Sequence, residues 1–366
     1  MKSSSIRKEQ SDMKAVVLCA GEGTRLRPLT HTSAKHLIPV ANRPVIAYTI
    51  EAIREAGIDE IGVVVSPNVE EEFKLALGDG SKWDVQISYI MQESPKGLAH
   101  AVSCAKEFVK NEPFLVYLGD NLLENGVTEI VKEFQRNKSG ASLLLTEVKD
   151  PSSFGVASLE KDRIVKLVEK PKHPPSNLAV VGVYLFSPKI FEAIEQIKPS
   201  WRGELEITDA IQWLIDQGIE VRPHLVKGWW KDVGRPEDMI DANRLILEKL
   251  EPQIYSEIGQ DSKIVGRVSI AEGVRIRASE LRGPLLIGPG AVIETSFIGP
   301  FTSIGQGVRI VRSEIEYSIV MSGASIEGAG RVDHSLIGRN VRIFRGERPP
   351  ETYHFVIGDN SEVRLV

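Results

Sequence analysis

Between Ile258 and Ile343 aliphatic residues return at a fixed interval. Ile258, Ile264, Ile270 and Ile276 are six apart, and so are Ile287 and Ile293, then Ile298, Ile304 and Ile310. Val320, Ile326 and Val332 continue the pattern, then Ile337 and Ile343, with five-residue steps between sets. Glycine commonly follows the apolar position, as at Gly259, Gly288, Gly299, Gly305 and Gly338. A six-residue apolar period is the signature of a parallel β-helix, whose coils have three short sides, each with one inward aliphatic residue that stacks into a continuous core. Short edges and exposed flat faces make self-association the expectation for such a domain.

The other end of the chain reads as α/β. Ala15 to Ala20 is a short apolar run, a buried strand. Gly21 and Gly23 follow with only Glu22 between them, a turn that lets a ligand approach the backbone and lets N–H groups point at phosphate oxygens. Arg25, Arg27 and Lys35 then supply the cations that a polyphosphate needs. The spacing is neither the P-loop pattern nor the dinucleotide fingerprint. A helix is expected next, with Ile46, Ile50 and Ile53 on one face, Asn42 as its cap, Pro44 in its first turn and Gly57 as its stop. A β-branched strand at Ile61 to Val65 completes a βαβ unit with parallel strands. Val85 to Met91 reads as another strand, followed by Gln92 to His100 and a helix from about Leu98 with Ala101, Ala105 and Phe108 on one face. The Phe114 to Leu118 strand ends in Gly119-Asp120-Asn121, at the carboxyl edge where open α/β sheets gather ligands. Asp120 there suits a hard cation such as Mg2+.

The string Ala20-Gly21-x-Gly23-Thr24-Arg25-Leu26-x-Pro28-Leu29-Thr30, with Lys35 and Pro39-Val40 after it, resembles the signature of the sugar-1-phosphate nucleotidylyltransferases, and among them the glucose-1-phosphate thymidylyltransferases. The resemblance runs from about Met13 onward. It implies a Rossmann-like mixed sheet at 13–250, followed by the left-handed parallel β-helix of long-form members at 251–366, with 1–12 a loose extension. It also implies roles. Ala20, Gly21, Gly23, Thr24 and Arg25 bind the nucleotide, with Gln92 and Gly97 at the base. Asp120 and Asp232, the latter in Trp229-Trp230-Lys231-Asp232, hold the catalytic Mg2+. Gly155, Glu169 and Lys170 bind the sugar phosphate, Glu169 at the hexose and Lys170 at the phosphate. Val181-Gly182-Val183-Tyr184 and Gly203 to Asp209 are further segments of the family kind, and Trp229-Trp230 is given no chemistry. His36 and His100 stand where short-form relatives carry glutamine, and Val181 where threonine is common.

The implied reaction joins dTTP and glucose 1-phosphate into dTDP-glucose and pyrophosphate. The attacking phosphate is already an anion, so positioning and charge neutralisation dominate, and no nucleophilic side chain is needed. Arg25 and Lys35 would meet the departing pyrophosphate, and Lys170 the attacking phosphate. Three alternatives stand beside this: a UTP-using or broad sugar-1-phosphate nucleotidylyltransferase, a catalytically silent regulatory homologue, and a second, acyl-transfer activity in the β-helix. His334 and His354 are the histidines available to the last, and the tail after Arg348 reads as a cap on the open end of the helix.

Net charge is −5 with acids and bases interspersed, which argues against a nucleic-acid surface. Cys19 and Cys104 are too few for a disulfide scaffold and sit in apolar runs as packing residues. No run is long enough to span a bilayer, and Met1 to Asp12 has no apolar core. A cytoplasmic homo-oligomer is the expectation.

Overall fold

The computed structural model describes residues 13–345. The extension at 1–12, the tail after Arg348 and His354 lie outside the described residues. The chain divides into two compact units, one of residues up to Glu22 with Ile46–Asp232, the other of Gly23–Val45 with Val233 onward. In space, then, the segment after the glycine turn and the helix Pro236–Leu247 group with the repeats rather than with the sheet.

The first unit is built on a nine-stranded mixed sheet. Lys14–Leu18 lies parallel to both Glu60–Val65 and Phe114–Leu118, and Gln86–Met91 lies parallel to Glu60–Val65. Val16, Val64 and Val116 are buried in this block, because a parallel strand covered on both faces must be apolar nearly throughout. Leu178–Phe186 then joins Phe114–Leu118 antiparallel, and the Gly155–Glu160 and Arg163–Glu169 hairpin continues the sheet from it. The pairing of Leu178–Phe186 with Ala141–Glu147 is interrupted between Val180 and Tyr184, where Gly182 sits. A Cβ on Gly182 would lie 2.5 Å from the Leu118 side chain, so only glycine fits that bulge.

Two local expectations are corrected. The helix Val45–Glu55 ends before Gly57, at φ 86, as expected, but Asn42 does not cap it. Pro39–Val40 and Arg43–Pro44 pair as a tight antiparallel hairpin, and Ala41 and Asn42 form its two-residue turn with φ 47 and 60. Two consecutive left-handed residues are what such a turn requires, and asparagine tolerates that geometry as readily as it caps helices. The helix from Leu98 stops at Cys104 and a short one resumes at Lys106–Val109. The Ala105 N–H bonds to the Val102 carbonyl, a tighter turn that breaks the run.

In the second unit the six-residue period becomes three columns of stacked side chains. Ile264, Leu281, Ile298, Ile315 and Val332 are in register in one. Ile270, Ile287, Ile304, Val320 and Ile337 form the second. Ile276, Ile293, Ile310, Ile326 and Ile343 form the third. These are the parallel coils of a β-helix. A serine ladder fixes the coil length at one corner. The Ser279 N–H donates to Ser262 Oγ, Ser296 N–H to Ser279 Oγ and Ser313 N–H to Ser296 Oγ, each across 17 residues. His334 stacks on Tyr317 with ring centroids 5.0 Å apart and shares a 2.8 Å hydrogen bond with Asp333.

Candidate active site

The carboxyl ends of the parallel strands share one edge of the sheet. The Cys19 N–H donates to the Val64 carbonyl, Gln92 N–H to Val65 and Gly119 N–H to Leu18. Ala20-Gly21, Gln92 and Asp120 therefore leave the sheet together, as ligand-binding residues of open α/β sheets do.

Asp120 is buried and is followed by the strand Asn121–Leu123, which pairs antiparallel with Trp230–Asp232. The register sets Asn121 opposite Asp232, so Asp120 and Asp232, far apart in sequence, occupy neighbouring positions of one ribbon. Asn121 is buried at its centre. Its Nδ2 donates to Asp120 Oδ1 at 3.0 Å, and its Oδ1 accepts from Trp230 Nε1 at 2.6 Å and from the Gly182 N–H at 3.4 Å. The Trp230 ring meets Phe154 edge-on, with centroids 5.5 Å apart. Trp230 thus fixes the ribbon against the residue preceding Gly155. Among the described residues no group of three or more His, Cys, Asp and Glu forms a metal cluster. Two carboxylates suit Mg2+, which takes one or two such groups and fills the rest of its octahedron with water and phosphate oxygens.

Around Gln92, expected at the base, Nε2 lies 2.9 Å from His100 Nδ1 and 3.4 Å from the Gly97 carbonyl, which it donates to. Burial, with a smaller contribution from Lys96, lowers the His100 pKa. The neutral ring offers Nδ1 as acceptor to the Gln92 amide, which orients that amide. Gly97 has φ 101, and a Cβ on it would lie 2.5 Å from the Leu205 carbonyl oxygen. The Leu205 N–H donates to the Lys96 carbonyl and the Ala99 N–H to the Leu205 carbonyl, so this turn is fastened to the 204–206 segment.

Of the residues expected at the sugar phosphate, Gly155 pairs with Glu169 across the hairpin. Thr208 Oγ1 donates to Glu169 Oε2 at 3.2 Å, Arg202 lies 3.5 Å from Glu169 and Lys170 Nζ 3.9 Å. Arg202 also contacts Glu204 and the buried Glu206. Burial first, then the Glu206 charge, raises the Glu169 pKa against the opposing pull of Lys170, Thr208 and Arg202. A carboxyl raised in the folded state contributes most at acid pH and loses that contribution as pH rises through its folded pKa. Glu169→Gln is therefore expected to melt higher than the parent at neutral pH, with the gap closing on acidification. Thermal unfolding across pH checks this, and a variant that melts lower at neutral pH contradicts it.

Gly23, Thr24, Arg25 and Lys35 belong to the second unit. Thr24–Leu26 is a single 3-10 turn with Leu26 buried and Arg25 exposed. Gly23 has φ 64, and a Cβ there would lie 3.0 Å from Lys35 Cβ, so the loop folds back to bring Lys35 against the glycine. Thr30 Oγ1 closes it by donating to the Gly23 carbonyl at 2.8 Å.

Sequence reasoning missed Asn121, Trp230 and Arg202. Asn121 stood inside a motif already noticed, and its side-chain amide beside a carboxylate was the available signal. Arg202 gave none, because its contact with Glu169 exists only in the folded chain.

Residues 14–249 match the family described as nucleotidyl transferase, to which this chain belongs. Glucose-1-phosphate thymidylyltransferases of Streptomyces griseus and Streptomyces antibioticus are 49% and 48% identical to it, each over 96% of this chain and 99% of the relative. A solved Bacillus anthracis structure, described as a glucose-1-phosphate thymidylyltransferase in complex with sucrose, is 37% identical with a TM-score of 0.60, covering 64% of this chain and 94% of that one.

Proposed function

We propose that this chain makes dTDP-glucose and pyrophosphate from dTTP and glucose 1-phosphate. The observation that carries the reading is the Asn121 ribbon, which orients Asp120 and sets Asp232 beside it at the edge where the glycine turn leaves the sheet. Mg2+ on the two aspartates would neutralise charge at the α-phosphate. Lys170 and Arg202 hold the phosphate of the sugar, while Glu169 accepts from hexose hydroxyls. An oxygen of that phosphate attacks the α-phosphorus in line, and the bond to the bridging oxygen breaks. The electron pair leaves with pyrophosphate, which Arg25 and Lys35 receive. Gln92, oriented by His100, reads the base edge, and Gly97 keeps the wall of that slot close. The ionised phosphate is its own nucleophile, so no side chain takes a proton. The enzyme works in the cytoplasm as a homo-oligomer.

Pyrophosphate release with Mg2+ and glucose 1-phosphate, compared across dTTP, UTP, CTP, ATP and GTP, tests the reading. Fastest turnover with dTTP is expected. UTP should follow closely, because a methyl contact discriminates by only about 1–3 kcal/mol. Turnover with none of the five, also after exchange of the sugar phosphate, overturns the reading in favour of a silent regulatory homologue.

A further inference from the structure

Three side-chain amide and guanidinium groups tie the segment after the glycine turn to the repeats within the second unit. Asn243, on the helix Pro236–Leu247, is fully buried. Its Oδ1 accepts from the Ala41 N–H at 2.9 Å and from Ser303 Oγ at 2.6 Å, and its Nδ2 donates to the Phe301 carbonyl at 2.9 Å. Asn42 Nδ2 donates to the Ile304 carbonyl at 2.7 Å. Arg339 reaches the Leu37 carbonyl and Ser33 Oγ, each at 3.4 Å. Leu29 lies against Gly338, where an added Cβ would meet its side chain at 3.1 Å. The Asn42 bond ends on the strand Thr302–Ile304 directly, and the Ala41 bond reaches Ser303 and the adjoining Phe301 through Asn243. That strand is paired on both sides, so it is held by the columns.

A buried asparagine with both amide atoms occupied is specific hardware. Leaving any of its partners unpaired in the interior is costly, so the arrangement selects one position for the Ala41-Asn42 turn. Lys35 precedes this turn by only a few residues, and Gly23 is folded against Lys35.

We propose that the β-helix is a brace for the phosphate-binding segment, and that Asn42 and Asn243 are positioning residues for nucleotidyl transfer. This rests on the function proposed above. They act on the triphosphate through Gly23, Arg25 and Lys35. The sugar-phosphate residues Gly155, Glu169 and Lys170 belong to the other unit, so the effect should fall on one substrate and not on both.

Asn42→Gly is the cleanest test. Glycine keeps the left-handed turn and loses only the bond to Ile304. Ser303→Ala is the second variant, since it leaves Asn243 in place and removes one of its partners. For the full-length Asn42→Gly protein, KM for dTTP is expected to rise about tenfold, with KM for glucose 1-phosphate within about twofold of the parent. Ser303→Ala should move the same constant in the same direction by less. Amide hydrogen exchange over 23–45, measured without substrates, should speed up about tenfold, because each 1.4 kcal/mol lost from local opening is tenfold in rate. Exchange that stays unchanged in both folded variants overturns the brace. Equal rises in both KM values overturn the positioning role, since a general loosening would act that way. Exchange needs no turnover, so it separates failure of the brace from failure of the proposed reaction.

Discussion

Asp120→Asn is expected to lower turnover by about a thousandfold while leaving the fold intact. Asparagine has nearly the same shape as aspartate and keeps an oxygen for the Asn121 amide, which now donates to Asp120 Oδ1 at 3.0 Å. What is lost is one of the two negative charges that suit a magnesium ion. Pyrophosphate release should therefore collapse at fixed Mg2+, with the melting temperature within a few degrees of the parent. A folded variant that keeps more than about a tenth of the rate contradicts the assignment of Asp120. Asn121→Ala gives a useful contrast. It retains both carboxylates but removes the amide that orients Asp120 and the acceptor of the Trp230 and Gly182 N–H groups. It should lose stability as well as rate, because one buried and one half-buried donor are left without their acceptor.

The second large effect is expected at Gly97. Gly97→Ala forces a Cβ to within 2.5 Å of the Leu205 carbonyl oxygen, and at φ 101. The neighbour is main chain and is itself pinned by bonds from Ala99 and to Lys96, so it cannot step aside. A loss on the order of 3 kcal/mol follows from strain and displacement together. For a unit of about 200 residues, as the first unit is, that is a fall in Tm of about 6–12 °C. The turn carries the slot proposed for the base, so KM for dTTP should rise more than KM for glucose 1-phosphate. Gly203→Ala is the control. Gly203 also has a left-handed φ, of 76, yet a Cβ there meets nothing within 4 Å. It carries the conformational cost without the collision, and should cost only about 1–2 kcal/mol. If the two variants melt together, the collision with Leu205 is not what Gly97 avoids.

The repeats were legible because their information is local. An inward aliphatic residue every sixth position needs no knowledge of distant partners, and the three columns follow directly. The parallel block was legible for the same reason, since Ala15–Ala20 and Ile61–Val65 are apolar throughout. Asp120 was placed by strand-end chemistry, but Asp232 only by family resemblance, because nothing in the sequence announces that Asn121 and Asp232 stand opposite one another. Asn42 was misread because one side chain serves two purposes. An asparagine before an apolar helix looks like a cap, and the hairpin that uses it instead is decided by the bond to Ile304. Trp230 was given no chemistry, and its ring is packed on Phe154. Its indole N–H, however, is spent on Asn121, a partner that only the antiparallel ribbon supplies.

The serine ladder has a consequence for how this chain can change in length. Each rung spans 17 residues, one circuit of the coil. A one-residue change is already absorbed in the stack: Ile304 pairs with Val320 and Ile310 with Ile326, each one residue short of the usual circuit, and a register shift between Val311 and Ser313 restores the longer spacing. Loss or gain of a whole circuit would leave all three columns in step. Descendants of this sequence can therefore change length here by whole turns, or by one residue with a local shift of register, and only above or below the strand Thr302–Ile304, whose height along the stack the Ala41-Asn42 turn has fixed.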